Sequence, residues 1–256
     1  MKIRSLYRYP VKGLTPERLA QATLSPGRCI PWDRAFALAQ GDAPLDPEHP
    51  AWISKTNFMC LARNAKAALL NTSFDESAGT LAITSPDGAA ITASPFVAEG
   101  RAALTSFLTA FLGQEARYGV TGQAPQFHYF PQHSFCDHKT QVVSFIGLGS
   151  LSALEQAVGT PRDVRRFRAN IYIDDIAPWA EFSLLGKTLA IGDVRMVVQE
   201  RIDRCAATTV NPDTAARDAN PVKELQQNFG HVDLGVFAEI LCPGEIRPGD
   251  EIKVVE

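Results

Sequence analysis

The sequence predicts a mainly β protein of two barrel-like or sandwich-like halves with a few helices. Three observations carry this. Short runs with a period near two dominate the first hundred residues and return from Arg165 onward. Pro, Gly and Asp-Gly signals interrupt those runs at spacings that suit strands. Helical spacing is confined to a few short segments.

The elements follow in order. "IRSLYRYPV" (3–11), "ERLAQATLS" (17–25) and "RAFALAQ" (34–40) each fit a strand in part. "TLAITSP" and "AAITASP" flank Asp87-Gly88, the signal for a tight hairpin. Over 95–112, Phe96, Leu104, Phe107, Leu108, Phe111 and Leu112 recur at helical spacings, and Gly113 ends the run. Residues 121–139, "TGQAPQFHYFPQHSFCDHK", break the pattern and mark a boundary or a long functional loop. The expected division is therefore 1–120 and 121–256. A short helix is expected to run from Ser150 to Val158, and "RRFRANIYID" opens the second β-rich half. "KTLAIGDVRMVVQERIDRC" predicts a hairpin across Gly192-Asp193. Asn211-Pro212 and Asn220-Pro221 each place an N-cap Asn before a Pro, so two short helices are expected, the second stopped by Gly230. "VDLGVFAEILCPGEIRPGDEIKVV" closes the chain as strand, turn and strand.

A length of 256 residues suits one large domain or two closely packed ones. With 45% apolar and 21% charged residues, the composition is that of a globular protein. A net charge of −3 argues against a nucleic-acid partner or an anionic membrane surface, so an anionic ligand needs a local basic cluster. No stretch approaches the roughly 20 consecutive apolar residues that cross a bilayer. "MKIRSLYRYPV" alternates like a strand and carries no secretory core. Five scattered cysteines (29, 60, 136, 205 and 242) without a CxxC pair argue for free thiols and a cytoplasmic location.

Two segments carry candidate chemistry. In a strand over 196–205, Met196, Val198 and Ile202 share one face while Gln199, Arg201, Asp203 and Cys205 share the other. Cys205 then sits among charges, with Arg201 and Arg204 near in sequence, and a thiol near cations ionises more readily. The competing reading is a small buried core cysteine. In "RRFRAN", Arg166, Arg168 and Asn170 alternate with Phe167, Ala169 and Ile171, which makes either a grip for phosphate or carboxylate or a merely solvated strand face.

The segment "RCAATTVNPDTAARDANPVKELQQNFGHVDLGVFAEI", with "FRANIYID" before it and "IRPGDEI" after it, resembles the MOSC domain. "YPVKGL", "WDRAFAL" and "PAWISKTNF" resemble the β-barrel domain that precedes MOSC in many members. The resemblance covers essentially the whole chain and points toward molybdoenzymes that reduce amidoximes and other N-hydroxylated compounds. It implies a molybdenum–molybdopterin cofactor whose metal is ligated by Cys205. It further implies that Lys12, Arg34, Lys55, Arg168 and Asn170 hold the pterin and its phosphate, with Arg201, Asp203 and Thr208 near the metal end. The expected catalytic set is Cys205, Asp203 and Asn211. The implied reaction reduces an N–O bond of a small molecule.

The sequence also departs from the family pattern. Gly13 replaces a Ser that often follows the "YPVK" Lys, and neutral Asn211 stands where an acidic residue is common. The cysteine-rich iron–sulfur extension of some relatives has no counterpart here, so neither an iron–sulfur cluster nor pyridoxal phosphate is expected, and electrons are expected from a separate donor protein. A rival from the same resemblance is a sulfur-carrying or cofactor-handling module without turnover of its own.

Other constellations rank lower. His128, His133, Cys136 and His138 could hold zinc, but their spacing fits no standard pattern, and a cleft-rim loop is the expected role. A Cys205–His231 hydrolase lacks further support. "GLGS" at 147–150 lacks the spacing of a dinucleotide loop and the Lys of a P-loop.

Overall fold

The computed structural model describes residues 1–116 and 119–255. Its main element is a curled eight-stranded sheet in the order β15 (Lys253–Val255), β11 (Thr188–Ile191), β12 (Val194–Asp203), β13 (Asp233–Cys242), β9 (Val143–Gly147), β10 (Ile171–Asp174), β1 (Lys2–Arg8) and β2 (Glu17–Leu19). Ile3, Leu6, Phe145, Ile171, Met196, Val236 and Ile240 form one apolar core on this sheet, each almost fully buried. The parallel β9–β10 pair is joined through helix α2 (Leu148–Val158), as a parallel crossover requires. Gly235 in β13 has φ +86°, and a Cβ there would meet the Phe145 carbonyl at 2.2 Å, so β13 crosses β9 closely only because this residue is glycine.

The second core lies nearer the N-terminus. Strand β4 (Phe36–Ala39) pairs antiparallel with β8 (Gln126–Tyr129), and β5 (Asn71–Asp75), β6 (Thr80–Thr84) and β7 (Ala90–Ala93) form a three-stranded meander. Helix α1 (Ala98–Leu112) lays Leu104, Leu108 and Leu112 on this core at helical spacing, and Gly113 terminates it. Phe36 sits at its centre, with ring contacts to Trp32, Phe74, Phe96, Phe127 and Tyr129. Helix α3 (Pro221–Phe229) completes the three α-helices among the described residues, and the fold is mainly β as expected.

Several local expectations need correction. The stretch 17–25 divides between two sheets: β2 pairs with β1, while β3 (Ala22–Leu24) pairs with β14 (Gly244–Ile246). Two of the first three strands, β1 and β3, are therefore bonded to strands of the second half, β10 and β14, which ties the start of the chain to that half. The pattern-breaking 121–139 stretch contains β8, four alternating residues hidden between Pro125 and Pro131. Asn211-Pro212 starts no helix. Asn211 Oδ1 accepts from the Asp213 and Thr214 amides at 2.8 and 3.2 Å, but Ala215 then turns left-handed at φ 58°. Asn220-Pro221 does start one, with Asn220 Oδ1 accepting from the Lys223 amide.

Candidate functional site

Three register shifts interrupt the pairing of β12 with β13, two of them between Val198 and Asp203, where β12 ends. The face rule drawn from parity fails there. Beyond the shift between Val198 and Glu200, the cleft takes Glu200, Ile202, Asp203 and Cys205. Arg201 is turned away, its guanidinium 4.3 Å from the Phe182 ring centroid and 3.7 Å from Asp233. Gln199 bonds to Glu239 instead of joining Cys205.

Cys205 caps a 3-10 turn over Ala206–Thr209. Its carbonyl accepts both the Thr208 amide at 3.0 Å and the Thr208 hydroxyl at 2.9 Å, which fixes the backbone that carries the sulfur. Cys205 is half-buried and does not belong to the core. Lys55 lines the same cavity as the Cys205 sulfur. Burial pulls the Lys55 pKa down, but Cys205, Asp137 and Asp203 outweigh that and raise it.

Opposite lies a pair of arginines. Arg34 and Arg168 both have left-handed backbones, at φ 52° and 54°, a conformation costly for a residue with a Cβ. Their guanidinium carbons lie 4.6 and 4.2 Å from the centroid of the buried Tyr9 ring. Arg34 donates to Asp33 and, at 3.0 Å, to the Arg168 carbonyl; Arg168 donates to the Leu14 carbonyl at 2.6 Å. Burial, with Arg34 as a like-charged neighbour, lowers the Arg168 pKa; Arg34 stays raised against its own burial because Asp33 and Asp137 face it. Two half-buried cations on one aromatic ring form a cradle for an anion.

Lys12 donates to Asp137 at 2.5 Å and to the Phe135 carbonyl at 2.7 Å. Enclosure opposes ionisation of Asp137, but Lys12, Arg34 and Lys55 hold its pKa at about 2. Gly13, at φ +85°, has no room for a side chain, since a Cβ would lie 2.8 Å from the Met59 carbonyl. The departure from Ser is thus fixed by backbone packing here.

Arg166, Arg168 and Asn170 all line the cleft, but not through a strand. Residues 164–166 form a 3-10 turn, Arg168 is left-handed, and β10 begins only at Ile171. Asn170 is occupied by the fold: its Oδ1 accepts from the Ser144 amide and hydroxyl at 3.1 and 2.8 Å, and its Nδ2 donates to the Tyr7 carbonyl. Asn211, expected in the catalytic set, lies outside the cleft and bonds Asp218 at 2.6 Å.

The structure thus brings Arg34, Lys55, Arg168, Asn170, Asp203, Cys205 and Thr208 to one cavity of about 170 Å3. Lys12 lines a smaller adjoining cavity that shares Arg34, Lys55, Arg168 and Cys205 with it. Arg201 and Asn211 line neither. His138, from the stretch expected at the cleft rim, lines the cleft and pairs with Glu200 at 3.2 Å, whereas Asp137 and Glu200 were not anticipated as part of the site. His128 lies in β8, paired with Ala37 and apart from the cleft, so the four candidate zinc ligands do not converge. Among the described residues, no group of three or more His, Cys, Asp or Glu side chains is gathered for a metal.

A mainly β fold here turns two half-buried thiols, Cys136 and Cys205, and several forked cations into a single cleft, a set of groups that suits an anionic ligand. The chain is a MOSC-domain protein: the MOSC N-terminal beta barrel domain matches residues 1–115 and the MOSC domain matches residues 130–253. MOSC domains are associated with the molybdenum cofactor in general. Among solved structures, the YUAD protein from Bacillus subtilis is 14% identical over 99% of this chain and 94% of its own, with a TM-score of 0.45. YiiM from Geobacillus stearothermophilus is 20% identical over 44% of this chain and 54% of its own, with a TM-score of 0.34. YiiM from Escherichia coli is 14% identical over the same shares, with a TM-score of 0.33. No curated relative matches the chain.

The donor set suits a molybdopterin-type group: a soft sulfur for the metal, and the Arg34–Arg168 cradle for a phosphate. The enclosed volume is below the about 300–1,000 Å3 of pockets that surround a whole small molecule. A ligand of that size therefore extends from the cavity into its mouth.

Proposed function

We propose that this chain binds a molybdopterin-type molybdenum cofactor through Cys205 and reduces N–O bonds of small N-hydroxylated molecules, using electrons from a separate donor protein. The observation that carries the reading is the half-buried Cys205 sulfur, beside Lys55, on one cleft with two half-buried arginines that share the Tyr9 ring. When bound, such a group supplies a two-electron reduction whose oxygen leaves as water after taking up two protons.

The chain's own residues supply position and charge. Arg34 and Arg168 hold the phosphate, and the Tyr9 ring beneath them keeps the two forks apart and oriented. Thr208 fixes the direction of the Cys205 sulfur through its two bonds to the Cys205 carbonyl. Lys55 offsets negative charge at the sulfur. Asp203, on the cleft beside Cys205, is the carboxylate assigned to moving protons at the substrate. Among the described residues no helix is long and apolar enough to cross a membrane, and the five free cysteines suit a cytoplasmic protein.

The test is elemental analysis of protein from molybdate-fed cells. Near-stoichiometric molybdenum is expected in the wild type and much less in Cys205→Ala, with turnover of an N-hydroxylated substrate by an artificial electron donor. Stoichiometric molybdenum without turnover points instead to a cofactor-handling module. No molybdenum in either folded protein overturns the reading.

A further inference from the structure

The wall between the cleft and a neighbouring surface groove contains two thiols. Cys136 lines the cleft and is half-buried; Cys29 is buried and lines the groove, a depression of about 540 Å3. Asp33 lines both, so the partition is one side chain thick. The Cys136 thiol donates to the His138 carbonyl at 3.2 Å, and each of the two thiols is the strongest influence on the other's ionisation. Neither cysteine has a part in holding the cofactor under the reading above.

The backbones that carry them are locked in register on both sides of the pair. The Arg28 guanidinium donates to the Gln132 carbonyl and side chain at 2.6 and 2.8 Å. The Ser134 hydroxyl donates to the Asp33 carbonyl, and the Phe135 amide to the Arg34 carbonyl, each at 2.8 Å. The Cys29 amide reaches Gln141 at 3.4 Å. Thiols brought together by so many unrelated bonds do not meet by side-chain chance.

We propose that Cys136 and Cys29 form a peroxide-reactive dithiol, with Cys136 the attacking sulfur and Cys29 the resolving one, closing to a reversible disulfide across the cleft wall. Their environments divide the roles. Cys29, then the His138 backbone, Arg34 and Lys12, hold the Cys136 thiol at about 7 against its burial, whereas Cys136 and burial push the Cys29 thiol well up. Negative charge therefore gathers on the sulfur that faces the cleft, and the proton stays on the sulfur behind it.

The chemistry balances with a hydroperoxide as oxidant. The Cys136 thiolate attacks one peroxide oxygen; the O–O bond breaks, and the departing hydroxide takes up a proton as water, leaving a sulfenic acid. The Cys29 sulfur then attacks the Cys136 sulfur; the S–O bond breaks, and the departing hydroxide takes the Cys29 proton as a second water. The dithiol loses two electrons and hydrogen peroxide becomes two waters. A small thiol entering the groove reaches Cys29 and reverses the reaction by thiol–disulfide exchange.

The test uses the full chain and hydrogen peroxide, followed by thiol alkylation and peptide mass mapping. The wild type is expected to lose its Cys29 and Cys136 thiols together, with a Cys29–Cys136 cross-linked peptide that a reducing agent reverses. Cys29→Ser is expected to hold the sulfenic acid, so that dimedone labels Cys136; Cys136→Ser is expected to give neither cross-link nor label at Cys29. Oxidation confined to Cys60, Cys205 or the exposed Cys242, or a Cys29→Ser protein whose Cys136 takes no dimedone, overturns the proposal. None of these readouts requires molybdenum, so they stand or fall separately from the cofactor reading.

Discussion

Two regions of this protein enclose arginine, Arg204 fully and Arg168 in part, and they do so in opposite ways. Beneath the end of β12, Arg204 gives its Nε to the Leu234 carbonyl and its Nη1 to the Phe167 carbonyl, each at 2.8 Å, and a second Nη also reaches Leu234. Burial pulls its pKa down to about 10, with Tyr172, Cys205 and Asp203 opposing. Across the cleft, Arg168 makes one carbonyl bond, to Leu14, and sits beside Arg34 on the same aromatic ring. The difference separates two uses of an enclosed cation. Arg204 ties strand ends together; Arg168 is held, at the cost of a left-handed backbone and a like-charged neighbour, with part of its fork still on the cavity.

That distinction predicts unequal responses to truncation. Arg204→Ala leaves two buried carbonyls without donors and is expected to lower unfolding free energy by about 3–5 kcal/mol in urea titration. A loss near zero would remove the contrast. Arg168→Ala loses one bond and a ring contact but relieves Arg34, so its stability is expected to stay within about 1 kcal/mol of wild type. Arg168→Gly is expected to be the more stable of the two, since glycine relieves a left-handed strain of about 1 kcal/mol. Inorganic phosphate is expected to raise the wild-type melting temperature and to do so much less for either Arg168 variant. If Arg168→Ala unfolds as easily as Arg204→Ala, both arginines are structural and the anion cradle is lost as an idea.

The same contrast explains what could be read before folding. The fold class was legible because strands and hairpins are local: the Asp87-Gly88 and Gly192-Asp193 turns both join paired strands. The grouping of Arg166, Arg168 and Asn170 was legible as composition, but its cause was not. A 3-10 turn and a left-handed residue, with no strand, bring them to the cleft. Arg201 was assigned by parity to the Cys205 face, and parity has no way to register an extra residue in a bulged strand. Asp137 enters the site through a bond to Lys12 across 125 positions of chain, which no local pattern encodes. The pairing of Cys29 with Cys136 was hidden for the same reason.

A third enclosed charge gives the smallest expected effect and the sharpest pH signature. Glu181 is fully buried against the start of α2, where one carboxylate oxygen accepts from the Ser150 hydroxyl at 2.7 Å and the other has no partner. Burial raises its pKa, with the Ser150 bond opposing, so the folded protein favours the neutral acid more than the unfolded chain does. An acid shifted upward on folding weakens the fold as pH rises through its unfolded value, near about 4.3, toward its folded one. Glu181→Gln removes the charge and retains an oxygen for Ser150. The variant is therefore expected to match the wild type below that window and to exceed it by up to about 1 kcal/mol at neutral pH. Urea unfolding of both proteins across pH 4 to 8 measures this directly. Parallel curves would mean that the unpartnered oxygen costs the fold nothing as a charge, and that buried groups in this protein divide by donor count alone.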